Sequence, residues 1–289
     1  MKVYVSNYLS RSISILDYST LEFERDIKLD ENIYPHNFCI DNRQQLAYIP
    51  SSLDGELYVL DLSIGKIIDN ISIGGKLTNI ALCNDELFIS NEDSNSIYIL
   101  DVKTSNPIGV IGVDNMPHGF DIDSINNRLL YVACINSIIC IDTISKSICK
   151  KIDTDFKSWH IKLDRNKKEI YTSTLDGKVV VIDEESLKII KIIDEFLLPV
   201  QICFNYEAKK IYVADMGYKK VMILDYDTGE VLDYINIDGD PQGIQISNDY
   251  KLLFISDTKN NLIKVYNTSE NTLIKNIEVG KEPTTILCM

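Results

Sequence analysis

The chain carries three histidines, and each stands in the same kind of place: His36 follows Pro35, His118 follows Pro117, and His160 follows Trp159. Imidazole changes charge near neutrality, so it can serve as base, acid or metal ligand. As a base His118 is the best placed, because Gly119 lets backbone approach a ligand and Asp215 offers a carboxylate to orient the ring. His160 is the alternative. Lactone hydrolysis or a lyase step would be within reach of such a group. No nucleophile motif accompanies it, since G-x-S-x-G, H-E-x-x-H and a phosphate-cradling glycine loop are all missing. A metal held by the three imidazoles is disfavoured by phase: His36 and His118 are equivalents, whereas His160 comes one residue later and on a strand faces the other way. No metal and no cofactor is expected.

Plain binding is the other chemistry these residues offer. The slot after the proline position reads His36, Thr78, His118, Trp159, Val200, Gln242 and Thr284, and the next reads Asn37, Asn79, Gly119, His160, Gln201, Gly243 and Thr285. Asn91, Asp215 and Asp257 close neighbouring strands and are expected at the same mouth. The candidate ligand-binding set is therefore His36, His118, Trp159, His160, Gln201, Gln242, Asn91, Asp215 and Asp257. Trp159 is either an aromatic platform or a joint-filling side chain.

These slots recur because the chain repeats. An aromatic residue returns at Tyr4, Tyr48, Phe88, Tyr131, Tyr171, Tyr212 and Phe254, at spacings of 40 to 44 residues. Eleven to 13 residues after each comes Asp17, Asp61, Asp101, Asp142, Asp183, Asp225 or Asn267, whose side chain can accept amides of the turn that follows. Prolines at 35, 117, 199, 241 and 283, with Leu77 and Ser158 in the two vacant slots, give a third marker of the same period. Each unit holds four short β-rich runs, as in GIQIS, LLFISD, LIKVYN and LIKNIEV. Repeats of this length mark propeller blades. The expected fold is all-β: a seven-bladed β-propeller of four-stranded antiparallel blades in a single domain, 1–289. The chain starts on a second strand and finishes on a first, PTTILCM, so one blade should be assembled from both termini. The slots then lie around one mouth of the channel.

The strand motifs KVYVSN, LFISN, LYVAC, IYVAD and LFISD, the ILD, VLD and VID segments after them, and joints such as VGKEP resemble the YVTN-repeat β-propeller family over essentially the whole chain. DTDFKSWH, at 153–160, departs from that pattern by lacking the glycine-proline joint. The resemblance implies a seven-bladed wheel; such propellers include binding modules, lactonases and lyases, so it leaves function open.

A net charge of −14 works against binding nucleic acid or an anionic membrane, which need Lys and Arg to displace counterions. Seven cysteines without a regular framework fit a reducing compartment. Cys39, Cys83, Cys203 and Cys288 fall in first strands, where a small apolar side chain suits close packing. Neither an export signal nor a run of about 18 apolar residues is visible. The expectation is a cytoplasmic monomer that binds a small molecule, a peptide or a protein, with a lactonase-like hydrolase or a lyase as the alternative.

Overall fold

A computed structural model of the chain describes residues 1–123 and 127–289. Seven four-stranded antiparallel sheets, with no helix among the described residues, are the blades of a seven-bladed propeller. Blades 1 to 6 follow the chain, with first strands at Cys39–Asp41, Leu77–Cys83, Gly119–Ile122, Ser158–Asp164, Pro199–Asn205 and Pro241–Ile246. Blade 7 takes its first strand, Pro283–Cys288, from one end of the chain and its other three, Lys2–Asn7, Ser12–Asp17 and Glu22–Lys28, from the other. The two ends pair antiparallel with Val3 opposite Cys288 and Val5 opposite Ile286. Blade closure by the two termini is as the repeat phase requires.

The chain groups into two compact units, one of residues 37–192 and one of residues 1–36 with 193–289. In the first, blades 1 to 4 stack through their first strands and share apolar layers. Tyr48 and Val59 of blade 1 meet Ile80 and Ile89 of blade 2. Phe88 and Ile99 of blade 2 meet Leu130 and Val132 of blade 3, and Tyr131 and Ala133 of blade 3 meet Ile161 and Val180 of blade 4. Successive residues of one strand thus serve opposite layers, which is why Leu130–Ala133 is apolar throughout instead of alternating. The second unit repeats this, with Tyr212 against Ile244 and Leu253, and Phe254 against Val3 and Val5.

The recurrent aromatics are all buried. Tyr48, Phe88, Tyr131, Tyr212 and Phe254 pack toward the following blade. The residue ending each third strand accepts a turn amide two or three positions on. Ser19 N donates to Asp17, Ser63 N to Asp61, Thr104 N to Asp101, Ile144 N to Asp142, Ser186 N to Asp183, Asp227 N to Asp225 and Ser269 N to Asn267. Fourth strands are largely exposed, as in Ser147–Asp153.

Candidate functional site

In blades 2, 4, 5, 6 and 7 a bulge near the start of the first strand displays the slot residues, whereas His118 directly precedes a first strand that pairs without one. In blades 2, 6 and 7 two residues are skipped in the pairing with the second strand: Thr78 and Asn79, Gln242 and Gly243, and Thr284 and Thr285. A serine one position before the end of that second strand holds the loop open. The amides of Asn79, Gly243 and Thr285 donate to the hydroxyls of Ser90, Ser256 and Ser6 at 2.8, 2.6 and 3.0 Å. Blade 5 has Ala214 there and skips only Val200, and blade 4 skips only Trp159. Bulges re-aim side chains in this way.

In the unit of residues 37–192 these loops converge on His118. Asn37 Nδ2 donates to Asn79 Oδ1 at 2.7 Å, and Asn79 Nδ2 donates to the His118 carbonyl at 2.9 Å, so a chain of amides runs from blade 1 to blade 3. The His118 ring contacts Glu92 through Nδ1 at 2.8 Å and stacks on Trp159 with ring centroids 3.7 Å apart. Glu92 is buried, and Lys76 Nζ also donates to it. Burial opposes charge on Glu92, but the hydrogen bonds from His118 and Lys76 outweigh it and hold the carboxyl below the ordinary glutamate range. Gly119 permits the stack: a Cβ there would lie 2.6 Å from the Cα of His160 and 2.7 Å from the Trp159 carbonyl. Its openness therefore serves the neighbouring strand, where the sequence suggested a ligand.

His160 lies in the same unit, on the strand that carries Trp159. Burial, seconded by the nearby His118, pushes its pKa down to about 4, so the ring is neutral at physiological pH. Thr172 Oγ1 fixes its carbonyl.

His36 and Gln242 belong to the unit of residues 1–36 with 193–289. Gln242 Nε2 donates to His36 Nε2 at 3.2 Å, and the hydroxyls of Thr284 and Thr285 donate to the His36 carbonyl at 2.8 and 2.9 Å. Tyr8 meets the His36 ring edge-on and packs against Tyr34, over which Arg11 sits. This is a second, aromatic cluster. No group of three possible metal ligands occurs among the described residues.

The remaining candidates hold the blades together. Gln201 Oε1 accepts the amide of Ile244 across blades 5 and 6. Asp215 is fully buried and accepts three amides, from Leu197, Leu198 and Tyr218. Its carboxylate is thus engaged in its own joint, and the carboxylate that holds His118 is Glu92. Asn91 Nδ2 donates to the Gly74 carbonyl, and Asp257 accepts amides of Asp240 and Asn260 beside Gly239.

Glu92, Lys76, Tyr8 and Tyr34 escaped the reading of the sequence. The signal was present for two of them. Glu92 and Tyr8 both directly follow a second strand, and each touches the histidine that opens the next blade.

Two open clefts lie away from both clusters. One, of about 440 Å³, runs along Glu22, Asp26 and Lys275. The other, of about 400 Å³, is lined by Lys150, Arg165 and Glu185.

No family model matches the chain. A curated relative, Antigen Lp49 of Leptospira interrogans, is 26% identical over 239 residues, covering 73% of this chain and 52% of that protein. The chain thus spans about half the length of the curated relative it matches. Among solved structures it is similar to the hydrazine synthase of Kuenenia stuttgartiensis, with a TM-score of 0.77 and 17% identity over 89% of this chain and 90% of that one. It is also similar to the dihydro-heme d1 dehydrogenase NirN in complex with DHE, with a TM-score of 0.75 and 12% identity over 99% and 74% of the two chains. At such identities the likeness is one of fold.

Proposed function

We propose that this chain is a binding propeller, a single domain of the YVTN-repeat type, that presents the His118 cluster to a small molecule, a peptide or a protein. The observation that carries the reading is the double restraint on one imidazole: its Nδ1 is held by a buried carboxylate, and its face rests on the one indole of the chain. A side chain fixed before its partner arrives loses little entropy on binding, and His118 keeps 19% of its side-chain surface exposed for contact. The Asn37–Asn79 amides stiffen the backbone beneath it. The family reading rests on the strand motifs and the seven repeats.

A hydrolase or lyase is the second reading, favoured by one feature: a carboxylate orienting an imidazole at Nδ1 is the arrangement that prepares the other nitrogen to take a proton. The absence of a recognisable nucleophile sets it behind binding. The acidic surface supports a partner other than nucleic acid or an anionic membrane. The free cysteines support a reducing, cytoplasmic location.

A thermal-shift screen of metabolites and peptides tests the reading, with His118→Ala and Trp159→Ala as controls. Binding predicts compounds that raise the wild-type melting temperature and fail on both variants. Compounds that stabilise all three proteins equally would place the site elsewhere. Turnover of a lactone by the wild type, lost in Glu92→Gln, would promote the enzyme.

A further inference from the structure

We propose that Cys140 and Cys149 form a redox-active dithiol, a modification site at which a peroxide closes a disulfide between the third and fourth strands of blade 3. The two Sγ atoms are 3.4 Å apart, and the Cys149 thiol also points at the Cys140 carbonyl at 3.4 Å. A bulge brings them together. Pairing of Ser137–Asp142 with Ser147–Asp153 steps from Cys140 opposite Lys150 to Ile141 opposite Ile148, so Cys149 is the extra residue, facing the other sulfur. Neighbouring antiparallel strands keep Cα atoms about 4.5–5.5 Å apart, within the range a disulfide spans. The sulfurs must close by about 1.4 Å to bond. The fourth strand, exposed along most of its length, can yield that distance.

Access divides the roles. Among the described cysteines Cys149 alone is exposed, while Cys140 is buried. Burial pushes the Cys140 thiol up to about 12, so it remains protonated until an oxidised sulfur is placed beside it. Lys150 stands opposite Cys140 in the ladder and next to Cys149 along the chain.

The chemistry balances with hydrogen peroxide as oxidant. Cys149 sulfur attacks one peroxide oxygen, the O–O bond breaks, and the departing hydroxide takes the thiol proton as water, leaving a sulfenic acid. Cys140 sulfur then attacks Cys149 sulfur, the S–O bond breaks, and hydroxide leaves with the Cys140 proton as a second water. Two thiols give up two electrons, and one peroxide becomes two waters. The product staples the outer strand of blade 3 to its neighbour, and a dithiol reductant restores both thiols.

Lys146 lies between the two cysteines, so trypsin separates them unless a disulfide joins them. After treatment with one equivalent of peroxide, a non-reducing digest of the wild type is expected to show a Cys140–Cys149 linked peptide that dithiothreitol abolishes. Cys149→Ser should slow peroxide-dependent thiol loss on the order of ten-fold. Cys140→Ser should leave a sulfenic acid on Cys149 that dimedone captures. Should that variant fail to fold, wild-type protein quenched early with dimedone should carry an adduct at Cys149 that declines as the linked peptide grows. Cys149 running on to sulfinic acid with Cys140 still free, or a disulfide joining another pair, overturns the proposal.

Discussion

The imidazole of His118 and the indole of Trp159 stack with their planes 22° apart, joining the first residues of blades 3 and 4. Because Trp159 is the single tryptophan, the indole emission reports on the surroundings of that ring. His118→Ala removes the ring that lies on the indole and should change the intensity and wavelength of the Trp159 emission at neutral pH. An emission spectrum identical in the variant and the wild type would contradict the stack.

Glu92 should shape the acid side of the stability curve. Its carboxyl is held below the ordinary value against the opposing effect of burial, by His118 and Lys76. A carboxyl whose folded pKa lies beneath its unfolded one stabilises the fold above the unfolded value, about 4.3 for glutamate, and that share disappears as pH falls through the folded value. Asp142, held down to about 2 by the Ser145 amide and Arg128, acts in the same direction. Urea titrations from pH 7 to pH 3 should show wild-type stability falling with acid, and Glu92→Gln should start lower and fall less.

Gly119→Ala should destabilise the fold by about 1–3 kcal/mol, the usual cost of forcing extra volume into a packed site. The added carbon meets the backbone of blade 4, which cannot rotate away as a side chain would. Gly112→Ala is the control, since a Cβ there meets nothing within 4 Å. Equal midpoints in urea for the two variants would refute the packing account.

Removing residues 284–289 strips Lys2–Asn7 of its partner strand and leaves an open edge. The truncated chain should melt more than about 10 °C lower or aggregate on purification. A melt superimposable on that of the full chain would contradict the shared blade.

The period of the fold was legible because its markers are chemically obligatory. An aromatic must fill the space toward the next blade, as Tyr131 and Phe254 do, and a carboxylate or amide must quiet the turn amides, as Asp225 and Asn267 do. The positions of the slot residues were legible for the same reason. Their partners were less so. Asp215 and Glu92 are both carboxylates near the end of a second strand, and one position separates a joint brace from a histidine partner. A bulge of one residue, as at Trp159, or of two, as at Thr78 and Asn79, then sets how far those slot side chains are turned. Such offsets are invisible to spacing alone.

Blade 7 also imposes an order on synthesis. Lys2–Asn7 is made before the segment that completes its sheet, Pro283–Cys288, and the two are some 280 residues apart. Until that segment emerges, the hairpin of Lys2–Asn7 and Ser12–Asp17 must wait with one side unpaired, exposed to any nascent neighbour offering a similar strand. Chaperone demand during production should therefore concentrate on that hairpin, and supplying PTTILCM as a peptide should relieve it.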